Sequence, residues 1–173
     1  MSSRRIGMLV ITVVLLAPAA AGASPGGRSA STTATVERIV DGDTLVVRGG
    51  ARVRLVQIDA PESGEECYSA ASTRELARLA PPGSRVVLEA DPALDRVDRY
   101  GRLLRYVHAG GANVNLALVR RGAATPWFYD GDRGRYAGRL LAAVTAARAG
   151  RRGMWGACRV VWHPDGPVDT RPR

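Results

Sequence analysis

The stretch ATVERIVDGDTLVVRGGARVRLVQI, residues 34–58, decides the fold. From Ala34 to Val40 apolar and polar side chains alternate and β-branched residues dominate, which predicts a strand. Asp41-Gly42-Asp43 then supplies a turn, Thr44 to Arg48 a second strand, Gly49-Gly50 a tight reversal, and Arg52 to Ile58 a third strand. Three short antiparallel strands joined in sequence form a meander.

Working outward, the periodicity changes between Glu66 and Ala80, where Cys67, Ala70, Ala71, Leu76 and Leu79 recur at helical spacing before Pro81-Pro82-Gly83 stops the helix. Strands resume at Arg85 to Ala90 and at Leu103 to Ala109. Asn113 is placed to cap a helix ending at Arg121, with Gly122 as its stop, and a third helix is predicted from Arg133 to Arg148. The sum is an α+β fold: a five-stranded Greek-key β-barrel of the oligonucleotide-binding (OB) type with about three packed α-helices. A chain of 173 residues with 46% hydrophobic content holds one such core. Residues 34–158 make that domain, residues 24–33 read as a flexible leader too polar to pack, and residues 159–173 read as a tail.

The first 23 residues read as a signal peptide. Arg4 and Arg5 make a basic start, Met8 to Leu16 an apolar run, and Ala21-Gly22-Ala23 a small-residue cleavage site. An uncleaved anchor is the competing reading, but the apolar run falls well short of the roughly 20 residues that cross a bilayer as a helix. The expectation is a secreted, extracellular protein beginning near Ser24.

The formal charge is +9, and losing Arg4 and Arg5 with the peptide leaves +7. That excess suits a polyanion, whether nucleic acid, anionic lipid or an acidic wall polymer. Cys67 and Cys158 are the two cysteines, and an even pair in an exported chain predicts a disulfide. Closing a loop of about 90 residues stabilises a fold by roughly 4 kcal/mol in the chain-entropy picture. Two cysteines are too few for a zinc cage by themselves, and only His108 and His163 could help them.

Four polar clusters fall where strands end or turn: Asp41-Gly42-Asp43-Thr44, Arg54, Asp59-Ala60-Pro61-Glu62, and Asp98-Arg99-Tyr100-Gly101-Arg102. Each is ordinary alone. In order and together they resemble the staphylococcal-nuclease (thermonuclease) family, with its D-G-D-T, R-x-x-x-x-D-x-P-E and D-x-Y-G-R. Val114 to Gly122 is similar to the family's second helix and Met154-Trp155-Gly156 to its end, so the resemblance covers about residues 34–158.

That resemblance implies hydrolysis of phosphodiester bonds in DNA and RNA, dependent on a single Ca²⁺, leaving 3′-phosphates, with little base specificity and single-stranded or locally unpaired substrate favoured. The protein is expected to act as a monomer. Calcium takes oxygen ligands; the resemblance assigns them to the carboxylates of Asp43 and Asp59 and the backbone carbonyl of Ala60, with Asp41 acting through water. The family often carries threonine where Ala60 stands, and any residue offers a carbonyl. Arg54 and Arg102 match the pair that answers charge growing on phosphate oxygens, a task that suits the planar guanidinium fork. Glu62 matches the residue that activates or orients the attacking water. Arg99 and Tyr100 are similar to groups holding a terminal phosphate. Trp127, Phe128 and Tyr129 offer either a stacking face for bases or an apolar lid over the last helix; Thr125 to Tyr129 departs from the family's tyrosine-bearing loop.

Two other classes fit parts of the sequence: a binding module that keeps the barrel with a dead site, and a cell-envelope adhesion protein using its positive surface. Asp43, Arg54, Asp59, Glu62 and Arg102 are all present, whereas a dead site loses acids or arginines.

Overall fold

The computed structural model describes residues 30–64 and 66–173. The signal peptide and most of the leader lie outside the described residues. The barrel is the predicted one. Its strands are β1 (Ser31–Ile39), β2 (Thr44–Val47), β3 (Arg52–Leu55), β5 (Arg85–Glu89) and β6 (Leu103–Ala109), with the two-residue β4 (Ile58–Asp59) following β3. Antiparallel pairing runs β3-β2-β1-β5-β6, and β3 pairs with β6 in parallel to close the ring. Closure leaves these strands no bare edge to aggregate through.

β1 serves two partners. Ser31 to Thr35 pair with β5, while Val36 to Ile39 pair with β2, and the register shifts between Val36 and Arg38. Such a shift bends a strand and lets it turn a barrel corner. β1 therefore starts at Ser31, inside what the sequence suggested was leader. The predicted third strand is broken: Gln57 has a positive φ of 62°, and β4 turns away to pair with β8 (Thr125–Pro126). Inside the barrel Leu45, Val53, Leu55, Ile58 and Val107 are fully buried. Each such side chain stabilises by about 1.5–3 kcal/mol relative to exposure.

The helices are α1 (Ser69–Leu79), α2 (Val114–Arg121), α3 (Ala137–Ala149) and the single turn α4 (Met154–Ala157). α1 begins later than its periodicity predicts because Tyr68 is left-handed, at φ 75°, and the Cys67 backbone is paired elsewhere. α2 is capped as predicted, the Asn113 side chain accepting from the Leu116 N–H at 2.8 Å. Gly122 ends it at φ 70°, where a Cβ would meet the Arg152 carbonyl oxygen at 2.2 Å, so only glycine fits. α3 starts at Ala137 rather than Arg133 because the preceding residues form a turn around Gln57. Short β7 (Ala112–Asn113) extends β6. Among the described residues no helix is long and apolar enough to cross a membrane.

The segment after Cys158 corrects the sequence reading. It is no tail: β9 (Cys158–Val161) and β10 (Asp169–Pro172) form an antiparallel hairpin. The hairpin folds back onto the barrel mouth, with Val168 and Thr170 buried. Cys67 and Cys158 are disulfide-bonded, Cα to Cα 6.1 Å, as predicted.

Candidate active site

The Asp41-Gly42-Asp43 turn links β1 to β2, and local chemistry shapes it. The Asp43 N–H donates to the Asp41 carboxylate at 3.0 Å, a side-chain turn that aspartate favours. Gly42 is required for a different reason. A Cβ there would stand 2.6 Å from the Cβ of Ala60 and 2.7 Å from that of Ser72, so the turn is pressed against β4 and α1.

This approach delivers Asp43 to the end of β4. Its Oδ2 accepts from the Ala60 N–H at 3.2 Å, and its Oδ1 from the Thr44 hydroxyl at 2.9 Å. Asp59, beside Ala60, is buried next to it. Arg54 bridges the two: Nη2 lies 2.9 Å from Asp59 Oδ1 and 3.3 Å from Asp43 Oδ2. Its Nη1 donates to the Ile58 carbonyl at 2.8 Å, so the guanidinium is held in one plane.

Two acids therefore meet one buried guanidinium and a third, Asp41, acts on it through space, and the electrostatics show the imbalance. Burial, then the Asp43 charge, push the Asp59 carboxyl up to about 7, against the opposing pull of Arg54 and the Val168 N–H. Burial and Asp43 also raise Asp41. Burial opposes the charge on Arg54, but Asp43 and Asp59 outweigh it and hold the group protonated. Among the described residues no three His, Cys, Asp or Glu side chains form a ready metal cluster. What could take a hard cation is a set of oxygens: the Asp43 and Asp59 carboxylates with the Ala60 carbonyl beside them.

The far side of Arg54 opens into a cleft of about 360 Å³. Arg102, Arg99, Tyr100, Trp127 and Tyr129 all line it, so residues scattered from 54 to 129 meet there. The D-R-Y-G-R loop explains how Arg102 arrives. Asp98 Oδ1 accepts the backbone N–H of both Tyr100 and Arg102 at 2.9 Å, and its Oδ2 takes Arg102 Nε at 2.6 Å. Burial is the largest single influence and raises Asp98, but the two amides and the guanidinium of Arg102 together outweigh it and lower the carboxyl below its usual range. Asp98 holds Arg102 by Nε, which directs the terminal nitrogens away from that contact.

Trp127 covers Arg54, 5.2 Å from guanidinium carbon to ring centroid, and meets Tyr129 edge-on at 5.9 Å. Phe128, grouped with them as a possible stacking face, is fully buried and belongs to the core. Its backbone N–H is spent on the Pro164 carbonyl of the hairpin loop. Arg99 and Tyr100 are exposed, the guanidinium donating to the phenol oxygen at 2.6 Å. Glu62 is exposed on the loop between β4 and α1, close enough for its charge to raise Asp59 further. Its backbone N–H donates to Glu66 Oε2 at 2.6 Å.

Three groups at the site escaped the sequence reading. Gln57 sits inside the R-x-x-x-x-D run, and its buried amide accepts from the Tyr106 hydroxyl at 2.8 Å and donates to the Asp132 carbonyl at 2.8 Å. A lone glutamine among strand residues gives no sign of this. Asn115 is fully buried and satisfies the Val107 N–H and the Val56 carbonyl, both at 2.9 Å, tying α2 to the barrel. The third is the Val168 N–H, which donates to Asp59 Oδ2 at 2.9 Å. No sequence pattern announces a main-chain donor 109 residues away.

Comparison with known proteins agrees with this arrangement. The profile of the family described as staphylococcal nuclease homologue matches residues 52–157. A protein named micrococcal nuclease from Shigella flexneri is 41% identical over 137 residues, covering 69% of this chain and 71% of that protein. Protein ParB of Escherichia coli is 36% identical over 137 residues, covering 69% of this chain and 70% of that one. Endonuclease YncB of Bacillus subtilis is 35% identical over 98 residues, covering 52% of this chain; the chain spans 46% of its length. With a family profile across most of the barrel and helices, and relatives matched over two thirds of both lengths, the chain belongs to the staphylococcal nuclease homologue family.

Proposed function

We propose that this protein is a secreted, calcium-dependent nuclease that hydrolyses phosphodiester bonds of DNA and RNA and leaves 3′-phosphate products. Membership of the family makes it a nuclease acting on nucleic acid. The finer reading is carried by one observation: Arg54 touches Asp43 and Asp59 with one nitrogen while lining, with Arg102, the open cleft beside them. A cation site and a phosphate clamp thereby share a wall.

The donor chemistry suits calcium. Asp43 and Asp59 share a single buried guanidinium with Asp41 near enough to act on it, more acidic groups than one cation balances, which a divalent ion would offset. Asp43, Asp59 and the Ala60 carbonyl would hold the ion, which supplies Lewis-acid polarisation of the phosphate and a template for it. The remaining work falls to the chain. Arg54 and Arg102 bind non-bridging phosphate oxygens and strengthen their hold as charge accumulates on them. Glu62 orients the attacking water and accepts its proton at a carboxylate oxygen. Arg99 and Tyr100 hold a terminal phosphate, and Trp127 with Tyr129 gives bases a sequence-tolerant face. Such a face favours single-stranded or locally unpaired substrate. The protein works as a monomer. Residues 1–23 support export, and the disulfide fits an oxidising destination.

Incubating the mature protein with plasmid and single-stranded DNA and with RNA, in calcium and then in chelator, tests the proposal. Degradation that requires calcium and disappears in Glu62→Ala and Arg102→Ala supports it. Retention of intact nucleic acid under both conditions would replace the enzyme with a binding module.

A further inference from the structure

The C-terminal hairpin lies against the catalytic acids at two separate points. Val168 N–H donates to Asp59 Oδ2 at 2.9 Å while Arg54 holds Oδ1, so both oxygens of this carboxylate are fixed from opposite ends of the chain. The second point runs through Glu66. Its Oε1 accepts the Thr170 N–H at 3.3 Å and its Oε2 accepts the Glu62 N–H at 2.6 Å, so one carboxylate joins β10 to the loop bearing Glu62.

The hairpin is itself strongly anchored. The Thr170 hydroxyl donates to the Cys67 carbonyl at 2.6 Å, the Cys67 N–H returns to the Thr170 carbonyl at 3.2 Å, and the disulfide ties β9 to the same residue. Trp162 Nε1 donates to the Pro126 carbonyl at 2.7 Å, next to Trp127 in the cleft wall. Val168 is buried against Met154 and Cys158. The amide that meets Asp59 therefore arrives on a braced element.

We propose that the β9–β10 hairpin is a positioning element of the active site, in which the Val168 amide orients Asp59 and Glu66 orients the Glu62 loop, with the Cys67–Cys158 disulfide as its anchor. This rests on the reading of Asp59 as a calcium ligand and Glu62 as the group that handles water. A ligand carboxylate held by an outer hydrogen bond binds metal more tightly, and losing such a partner typically costs roughly 10–100-fold in affinity or activity. The two contacts act on different groups, so their loss has different signatures.

Val168→Pro removes the N–H donor; Glu66→Ala removes the link to Glu62; the double variant Cys67→Ala/Cys158→Ala frees the anchor. Calcium affinity is measured by isothermal titration calorimetry and turnover on single-stranded DNA at saturating calcium, each variant's fold being checked by circular dichroism. Val168→Pro is expected to weaken calcium binding about tenfold and to recover most turnover when calcium is raised. Glu66→Ala is expected to keep parental calcium affinity and lose about tenfold in kcat, with Glu66→Gln, which retains one acceptor oxygen, in between. The double cysteine variant, which leaves Val168 intact should that substitution misfold, weakens both. Parental calcium affinity in Val168→Pro and in the double variant, together with parental kcat in Glu66→Ala, overturns the positioning role while leaving the calcium reading whole. A parental protein that binds no calcium overturns that reading and the Asp59 half of this inference, and kcat of Glu66→Ala then decides the other half.

Discussion

Arg54 and Asp59 face each other at 2.9 Å, each nearly excluded from solvent, and the second amine of Arg54 is fixed on the Ile58 carbonyl next door. The pair is a rigid fork, and geometry matters to it more than charge. Arg54→Lys keeps the charge and loses the fork. Activity is expected to fall about 100-fold or more, as when a single transition-state donor is removed elsewhere. Initial rates on single-stranded DNA measure it, and near-parental turnover would refute the clamp.

Gly42 has no room for a methyl group, with carbons of Ala60 and Ser72 both inside 3 Å of the place it would occupy. Gly42→Ala is expected to destabilise the fold by about 1–3 kcal/mol, the usual range for overpacking. The same strain displaces Asp41 and Asp43, so calcium affinity falls with stability. Urea unfolding and calcium titration of the one variant read both effects.

Asp98 orders the loop that carries Arg102 and ionises more easily than a free aspartate. Because its pKa is lowered by folding, its contribution is present above the unfolded value near 4 and is lost as pH falls through the lower folded value. Thermal unfolding between pH 6 and pH 2.5 is expected to show that part of the acid loss missing in Asp98→Asn. At neutral pH Asp98→Asn is expected to reduce turnover about tenfold, because Arg102 loses the charged partner that aims it.

Calcium that binds only the folded chain adds stability as its concentration exceeds Kd, by about 2.7 kcal/mol at 100 times Kd. Tm is expected to rise with calcium in the parental protein and to stay level in Asp43→Asn. Scanning calorimetry with calcium and with chelator makes the comparison. An equal rise in both would move the ion away from Asp43.

Where local chemistry decides conformation, the sequence was readable. Asn113 and Gly122 bracket α2 because a side-chain acceptor and a left-handed residue are needed at those ends. β6 occupies Leu103–Ala109 as expected because its apolar alternation has no competing turn residue. The bringing together of Arg54 with Arg102 and of Asp43 with the Asp59 strand followed from a motif pattern rather than from any single residue. What stayed hidden depends on distant partners. Cys158–Val161 and Asp169–Pro172 look like a tail because polar and proline residues separate them, and their order comes from bonds to Cys67, Asp59 and Phe128. Gln57 interrupts the predicted third strand, between β3 and β4, through a positive φ that a glutamine seldom adopts and that its three tertiary hydrogen bonds stabilise. Phe128 looked the same as its neighbours on paper, and only packing separates it from Trp127 and Tyr129.

The parallel rung between β3 and β6 sets Val53 opposite Leu103 and Arg54 opposite Leu104, across an interval of 50 residues. A nascent chain still emerging from the ribosome owns one guanidinium long before it owns the other, and the two become neighbours only when the ring shuts. A substitution that opens this rung would part the two guanidiniums of the proposed clamp without touching either of them.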